Sequence, residues 1–145
     1  MIFNIPLITA LISIAAAQML KIPIYLLTKR KLNIKIVVST GGMPSSHSAA
    51  VCSLAASVGL IDGFHSSMFA IAVLFSVITM YDAMGIRRHA GTHATILNRI
   101  IRLFPAHSNE LQEEGTLKEM LGHRPIEVCA GALLGVVIGL LINEL

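Results

Sequence analysis

The chain has 145 residues, of which 54% are hydrophobic and only 13% are charged. A soluble domain of this size exposes most of its surface to water and does not need so many apolar residues, so this composition excludes an ordinary soluble enzyme and indicates a membrane protein. Little sequence remains for a separate soluble domain, and we expect residues 1–145 to form a single integral membrane domain.

Four apolar stretches approach the roughly 20 residues that a helix needs to cross a bilayer. The first has no Lys or Arg before its apolar run, which is not the pattern of a secretory signal. The second is short unless the polar residues at its two ends lie in the membrane interface. Two stretches contain the cysteines, Cys52 and Cys129, which lack metal-ligand spacing and are expected to be reduced and buried. In chain order the stretches are Ile2–Leu27, Ser48–Ile61, Ser66–Met84 and Ile126–Leu141.

A shorter amphipathic segment, Thr95–Phe104, follows the third stretch. Its apolar residues recur at helical intervals, with Arg99 and Arg102 elsewhere on the turn, which predicts a helix lying in the membrane interface. The predicted fold is therefore an all-α, polytopic membrane bundle of about four transmembrane helices and one short interfacial helix.

The cations of the chain fall on one side of the membrane. Four spans place the loop after the first span and the polar stretch between the third and fourth on the same side, here called side A. Of the 11 Lys and Arg residues, all except Lys21 lie in these side A segments, and Lys21 lies in the last third of the first span. By the positive-inside rule side A is cytoplasmic, so we expect a multi-pass protein of the cell membrane with both termini outside.

Side A carries a segment rich in glycine and serine, Gly41–Ser48, at the start of the second span. Its glycines permit tight turns, and Ser45 and Ser46 are natural helix caps. A helix that starts here points its free N–H groups and positive dipole end at side A, where they favour an anion. His47 would lie in the first turn beside that anion. The simpler alternative is a capped helix start with an interfacial histidine.

A second histidine precedes the fourth span on the same side. His123 and Glu127 are four residues apart and can share a helix face, which would let the carboxylate select the imidazole tautomer and raise its basicity. A carboxylate one turn inside a span is costly and usually functional, although an ion pair with Arg124 is the alternative. Gly131 and Gly135 form a Gly-x-x-x-Gly pattern typical of close helix packing.

An acidic residue and two arginines, Asp82, Arg87 and Arg88, mark the side A end of the third span. The planar guanidinium fork matches phosphate oxygens, and a neighbouring aspartate can hold it in place. Arginines also commonly mark the cytoplasmic end of a span, which is the alternative. Asp82 with Glu127 could instead hold a divalent cation, and the sequence leaves this open, although we predict no metal site.

Together the three segments contain the parts of a phosphoryl-transfer site. A nucleophilic histidine can take the phosphoryl group, and a second histidine can protonate the leaving oxygen. Cations and helix N-termini can stabilise the charge on the equatorial oxygens.

The motifs resemble those of a known superfamily. Pro44-Ser45-Ser46-His47 resembles the Pro-Ser-Gly-His motif of the type 2 phosphatidic acid phosphatase and vanadium haloperoxidase superfamily, and the segment 123–128 resembles its His-x-x-x-Asp motif. With Tyr-Asp-Ala-x-Gly-x-Arg-Arg at 81–88, the whole chain resembles a divergent branch of small bacterial and plant membrane proteins in that superfamily.

The resemblance implies hydrolysis of a phosphomonoester without a metal or other cofactor, through a phosphohistidine. It implies that His123 is the nucleophile, that Glu127 orients it and that His47 is the general acid. Ser45 and Ser46, with nearby backbone N–H groups, would cradle the phosphate.

The chain departs from the superfamily pattern mainly in its cations. Ser46 replaces a glycine, and Glu127 replaces an aspartate. The Ser-Arg pair expected shortly before the nucleophile falls on Thr116-Leu117, and the upstream Lys-x6-Arg-Pro motif is absent. The cations of an active site must then come from elsewhere. The candidates for substrate binding are Arg87 and Arg88, held by Asp82, followed by Lys21 and Lys118.

Three functions are consistent with these patterns. The first is a membrane phosphatase, an acid-phosphatase-like phosphoric monoester hydrolase, acting on a phosphatidate-, phosphatidylglycerophosphate- or prenyl-phosphate-like lipid at the cytoplasmic interface. The missing arginine motivates a non-catalytic component that binds or transports anionic lipid or phosphate with the same fold. The third is a structural membrane subunit. No nucleic-acid partner is expected, and so thin a bundle around a lipid head group favours a homodimer.

Overall fold

The computed structural model describes residues 4–30, 41–103, 117 and 122–144. Within this part of the chain all regular secondary structure is helical, which confirms the predicted all-α bundle. The helices are α1 (Ile5–Lys29), α2 (Ser46–Asp62), α3 (Ser67–Met84), α4 (Ile86–Leu103) and α5 (Pro125–Glu144).

Polar side chains determine where the first three helices begin. The side-chain oxygen of Asn4 accepts a hydrogen bond from the backbone N–H of Leu7 at 3.0 Å. Ser45 and Ser66 cap α2 and α3 in the same way. Each cap satisfies an N–H that has no partner within the helix, so the local sequence specifies the helix starts.

Helix α2 lies at the centre of the bundle, against α1, α3 and α5. Its closest neighbour is α5, whose glycines face it. A Cβ atom on Gly131 would collide with the backbone carbonyl of Ser45, and one on Gly135 would collide with that of Ala49. The predicted Gly-x-x-x-Gly packing is therefore confirmed, and the two backbones approach more closely than any side chain would allow.

The bundle presents large apolar side chains outward and small or polar ones inward. Leu133 on α5 is 68% exposed, and α3 exposes most of its large apolar residues. The buried side chains are mainly alanines and serines. This distribution suits a surface covered by lipid rather than water.

Both cysteines are free, as predicted, but Cys52 is only half-buried and Cys129 is exposed on the outside of α5, so the expectation of buried cysteines was wrong.

Among the described residues, three segments are long and apolar enough to cross a membrane: Ile5–Thr28, Ser67–Leu103 and Pro125–Glu144. The second predicted span, Ser48–Ile61, corresponds to α2, which has 17 residues and is about 26 Å long, slightly less than the ~30 Å hydrocarbon core. Since α2 is surrounded by other helices, packing rather than its own hydropathy holds it in place.

The predicted interfacial helix is longer than its sequence pattern indicated. Helix α4 begins at Ile86, directly after Gly85, and continues through Gly91. It is amphipathic, with Ile96 and Ile100 exposed on one side and Arg99 on another. Gly91 does not interrupt it because the glycine lies on the buried face, where tertiary packing offsets the weak helix propensity.

Candidate functional site

One end of the bundle brings together segments that are far apart in sequence. Backbone hydrogen bonds fasten them: the N–H of Ser45 donates to the carbonyl of Glu127 at 2.9 Å, and the N–H of His123 donates to the carbonyl of Ala83 at 3.0 Å. The starts of α2 and α5 and the end of α3 therefore meet at one place.

The two predicted histidines lie side by side at this end. The rings of His47 and His123 are edge to face, with centroids 6.4 Å apart. His123 is only 4% exposed, and its Nε2 atom is buried without a hydrogen-bond partner among the described residues. His47, in the first turn of α2, is exposed. A buried nitrogen without a partner beside a second, accessible imidazole is an arrangement suited to chemistry rather than to stability.

A glycine that the sequence did not single out places His123. Gly122 has φ +81°, a left-handed conformation that suits glycine. A Cβ atom there would lie 2.6 Å from the backbone nitrogen of Arg88, so the chain before α5 rests directly on the junction of α3 and α4. No local pattern distinguishes this glycine from a turn glycine, because the constraint comes from the backbone it touches.

The environment of His123 opposes its protonation. Burial lowers the pKa of His123 below its ordinary value, and the positive charges of Lys21, His47 and Arg87 lower it further. The Glu127 carboxylate acts in the opposite direction without cancelling the effect. The imidazole is therefore held in its neutral form, which is the form that has a nucleophilic nitrogen.

Lys21 is the most deeply buried cation of the site. Its side chain is 1% exposed on the inner face of α1, and it interacts electrostatically with Glu127 and with both histidines. A buried ammonium within a membrane bundle is expensive unless an opposite charge or a ligand compensates it. The sequence ranked Lys21 behind Arg87 and Arg88 as a substrate-binding candidate. In the structure Lys21 is buried, whereas both arginines are exposed.

The predicted pairing of Asp82 with an arginine is present. Nε of Arg87 donates to Oδ2 of Asp82 at 2.7 Å. The Arg87 side chain is 52% exposed, so the pair contributes little to stability and acts mainly by orienting the guanidinium group. Arg88 is also exposed, and its backbone supports Gly122. Lys118 lies outside the described residues.

Ser45 and Glu127 have structural hydrogen bonds in addition to their predicted functions. Oγ of Ser45 accepts from the backbone N–H of Ser48 at 3.4 Å and lies 3.0 Å from the Ser48 hydroxyl oxygen. Oε2 of Glu127 accepts from the backbone N–H of Arg124 at 3.1 Å, which caps α5. The negative charge of Glu127 still acts on His123. Ser46 is buried in the first turn of α2.

The described residues contain no group of three or more His, Cys, Asp or Glu side chains placed to hold a metal ion. Asp82 is bonded to Arg87, and Glu127 to the α5 backbone. His89 and His93 are one turn apart on the continuous helix α4, and both are exposed.

Comparison with known proteins agrees with the motifs. The chain is 46% identical over 148 aligned residues to a Bacillus subtilis (strain 168) protein described as the uncharacterized membrane protein YuiD, an alignment that covers 96% of this chain and 94% of the relative. No solved structure matches the chain significantly. The family model described as the Divergent PAP2 family matches residues 2–138. Because that match spans nearly the whole chain, the protein belongs to the Divergent PAP2 family.

Proposed function

We propose that this protein is a membrane phosphatase that hydrolyses a lipid phosphate through a phosphohistidine on His123. The observation that carries the proposal is the buried Nε2 atom of His123, which has no hydrogen-bond partner among the described residues and lies beside His47. An imidazole kept neutral and unbonded is prepared to attack phosphorus.

The reaction would proceed in two balanced steps. In the first, the lone pair of Nε2 of His123 attacks phosphorus, the bond from phosphorus to the lipid oxygen breaks, and protonated His47 gives its proton to that oxygen. In the second, His47 takes a proton from water, the resulting hydroxide attacks phosphorus, and the N–P bond breaks to release inorganic phosphate. The exposed position of His47 lets it exchange protons with solvent.

The positive groups of the site would stabilise the transferring phosphoryl group. Lys21 supplies a buried charge, and Arg87 supplies a guanidinium oriented by Asp82. The N-termini of α2 and α5 add oriented N–H dipoles at the same end of the bundle. These groups would replace the arginine that the superfamily places where this chain has Leu117.

The bundle itself favours a lipid substrate. The site lies at the end of apolar helices and next to the amphipathic helix α4, which exposes Ile96 and Ile100 on one side and Arg99 on another. An acyl or prenyl chain can remain in the bilayer while its phosphate reaches the cationic end. The cation distribution supports a cytoplasmic location for this end.

Phosphate release from a panel of lipid phosphates tests the proposal. Protein purified in detergent should release phosphate from phosphatidate, phosphatidylglycerophosphate or a prenyl phosphate in the presence of a chelator. Saturable binding of these lipids without release from any of them would contradict the proposal. That result would identify the protein as an anionic-lipid binding or transport component, the alternative favoured by the missing arginine.

The lowered pKa of His123 has a measurable consequence. Because the folded state binds this proton more weakly than the unfolded state, the contribution of His123 to stability is fully present above the ordinary histidine pKa of about 6.5 and is lost as pH falls through its lower folded value. The C2 proton signal of His123 should therefore titrate below the ordinary histidine value of about 6.5. A His123 titration at or above the ordinary value would contradict this prediction.

A further inference from the structure

Helix α4 holds a distant part of the chain through one buried side chain. Asn98 is 5% exposed, on the same face of α4 as Gly91 and Ala94. Its Nδ2 donates to the carbonyl of Leu117 at 2.9 Å, and its Oδ1 accepts from the N–H of Leu117 at 3.1 Å. One amide thus pairs with both backbone groups of a single residue, which fixes the position and the direction of the chain there.

The same chain is fastened again where it reaches the site. Gly122 packs on the backbone of Arg87 and Arg88, and the N–H of His123 donates to the carbonyl of Ala83. The chain is therefore attached to α4 at Leu117, and again to the junction of α3 and α4 at Gly122 and His123. That junction also carries the ion pair of Asp82 with Arg87.

We propose that Asn98 is a positioning residue that sets the placement of His123 relative to Arg87. Asn98 acts through its two hydrogen bonds to the backbone of Leu117, which precedes His123 by six residues in the sequence. An effect of Asn98 on catalysis rests on the proposed function. Its effect on the position of His123 does not.

The two hydrogen bonds from Asn98 are made to a residue at which the chain departs from the superfamily pattern. Leu117 stands where the superfamily has a phosphate-binding arginine, and Arg87, in the first turn of α4, is our candidate to replace it. A guanidinium on α4 can stabilise a phosphoryl group on His123 only if the position of α4 relative to His123 is fixed. The bonds from Asn98 to Leu117 provide that relation at the other end of the same helix.

Chemical labelling tests the placement independently of activity. His123 is shielded in the wild type, so it should react slowly with diethyl pyrocarbonate. The folded protein is labelled first, and mass spectrometry of its peptides then gives the labelling of each histidine. Asn98→Ala should raise the labelling rate of His123 severalfold and leave that of His65, at the opposite end of the bundle, unchanged. Asn143→Ala is the matched control, because it removes another amide with two hydrogen bonds, to Ser57 and Gly139, away from the site.

The Asn98→Asp variant adds a reversible readout. Its carboxylate can accept from the N–H of Leu117 but cannot donate to the carbonyl, whereas the protonated acid can do both. The ratio of His123 labelling in Asn98→Asp to that in the wild type should therefore fall toward one as pH is lowered. A ratio independent of pH, an unchanged labelling rate in Asn98→Ala, or an equal increase in Asn143→Ala would overturn the proposal.

Kinetics connect the placement with the reaction. If the wild type releases phosphate, Asn98→Ala should lower kcat by up to about 100-fold with little change in KM, because a small misplacement of reacting groups affects the transition state more than binding. A raised KM with unchanged kcat would contradict a positioning role. If the wild type releases no phosphate, the proposed function fails, and the labelling experiment still decides whether Asn98 positions His123.

Discussion

Replacing His123 with alanine should abolish phosphate release, with a fall in kcat on the order of 10⁴-fold or more, because the proposed covalent intermediate forms on the imidazole that this change removes. The protein should remain folded, since Nε2 of His123 makes no hydrogen bond with the described residues and the backbone bond to Ala83 does not depend on the side chain. Release of labelled phosphate from the preferred lipid measures the effect.

Two further variants separate the proposed functions of the histidines. His47→Ala should lower kcat by about 10²- to 10⁴-fold, the range for loss of a general acid, and should be less harmful with a substrate whose leaving group needs no protonation. A phosphohistidine trapped by acid quench should be present in wild type and absent in His123→Ala. Full activity in His123→Ala would refute the nucleophile assignment whatever the other variants show.

Replacing Gly135 with valine should disrupt the bundle rather than the chemistry alone. Even a Cβ atom at this position would collide with the carbonyl of Ala49 on α2, and a backbone cannot move aside as a flexible side chain can. Overpacking of a well-packed site costs about 1–3 kcal/mol, and we expect a loss at or above the upper end of that range in the free energy of unfolding. Thermal unfolding in detergent, followed by circular dichroism, measures it.

The neighbouring Val136 provides the matched control. It is exposed on the outside of α5, so Val136→Leu also adds volume but adds it toward lipid. This variant should unfold at the wild-type temperature. If Gly135→Val unfolded at that temperature as well, the close contact between α2 and α5 would not be essential to the fold.

Much of the architecture could be predicted because it depends on local pattern. Three long apolar segments, the caps at Ser45 and Ser66, and the amphipathic character of α4 all follow from residue type and spacing within one element. The pairing of Asp82 with Arg87 was also foreseeable, since the two are separated by only a short stretch at the end of a helix.

Other features were missed because the deciding partner is distant in sequence. The local pattern of Thr95–Phe104 sets Asn98 beside the arginines, away from the apolar positions of an interfacial helix, yet Asn98 is buried and bonded to Leu117. Cys129 was expected inside the bundle, yet it faces outward because the glycine face of α5 is the one packed on α2.

The sequence by itself determined that this is a helical membrane protein with two histidine-bearing helix starts. Hydropathy and cap residues act locally, so they can be read without knowing the partners. Only the tertiary structure decided that His47 and His123 lie together and that Lys21 is buried beside Glu127. Those neighbours depend on how closely α1, α2 and α5 pack. Between α2 and α5 the distance is set by contacts of α5 glycines with the backbone carbonyls of Ser45 and Ala49.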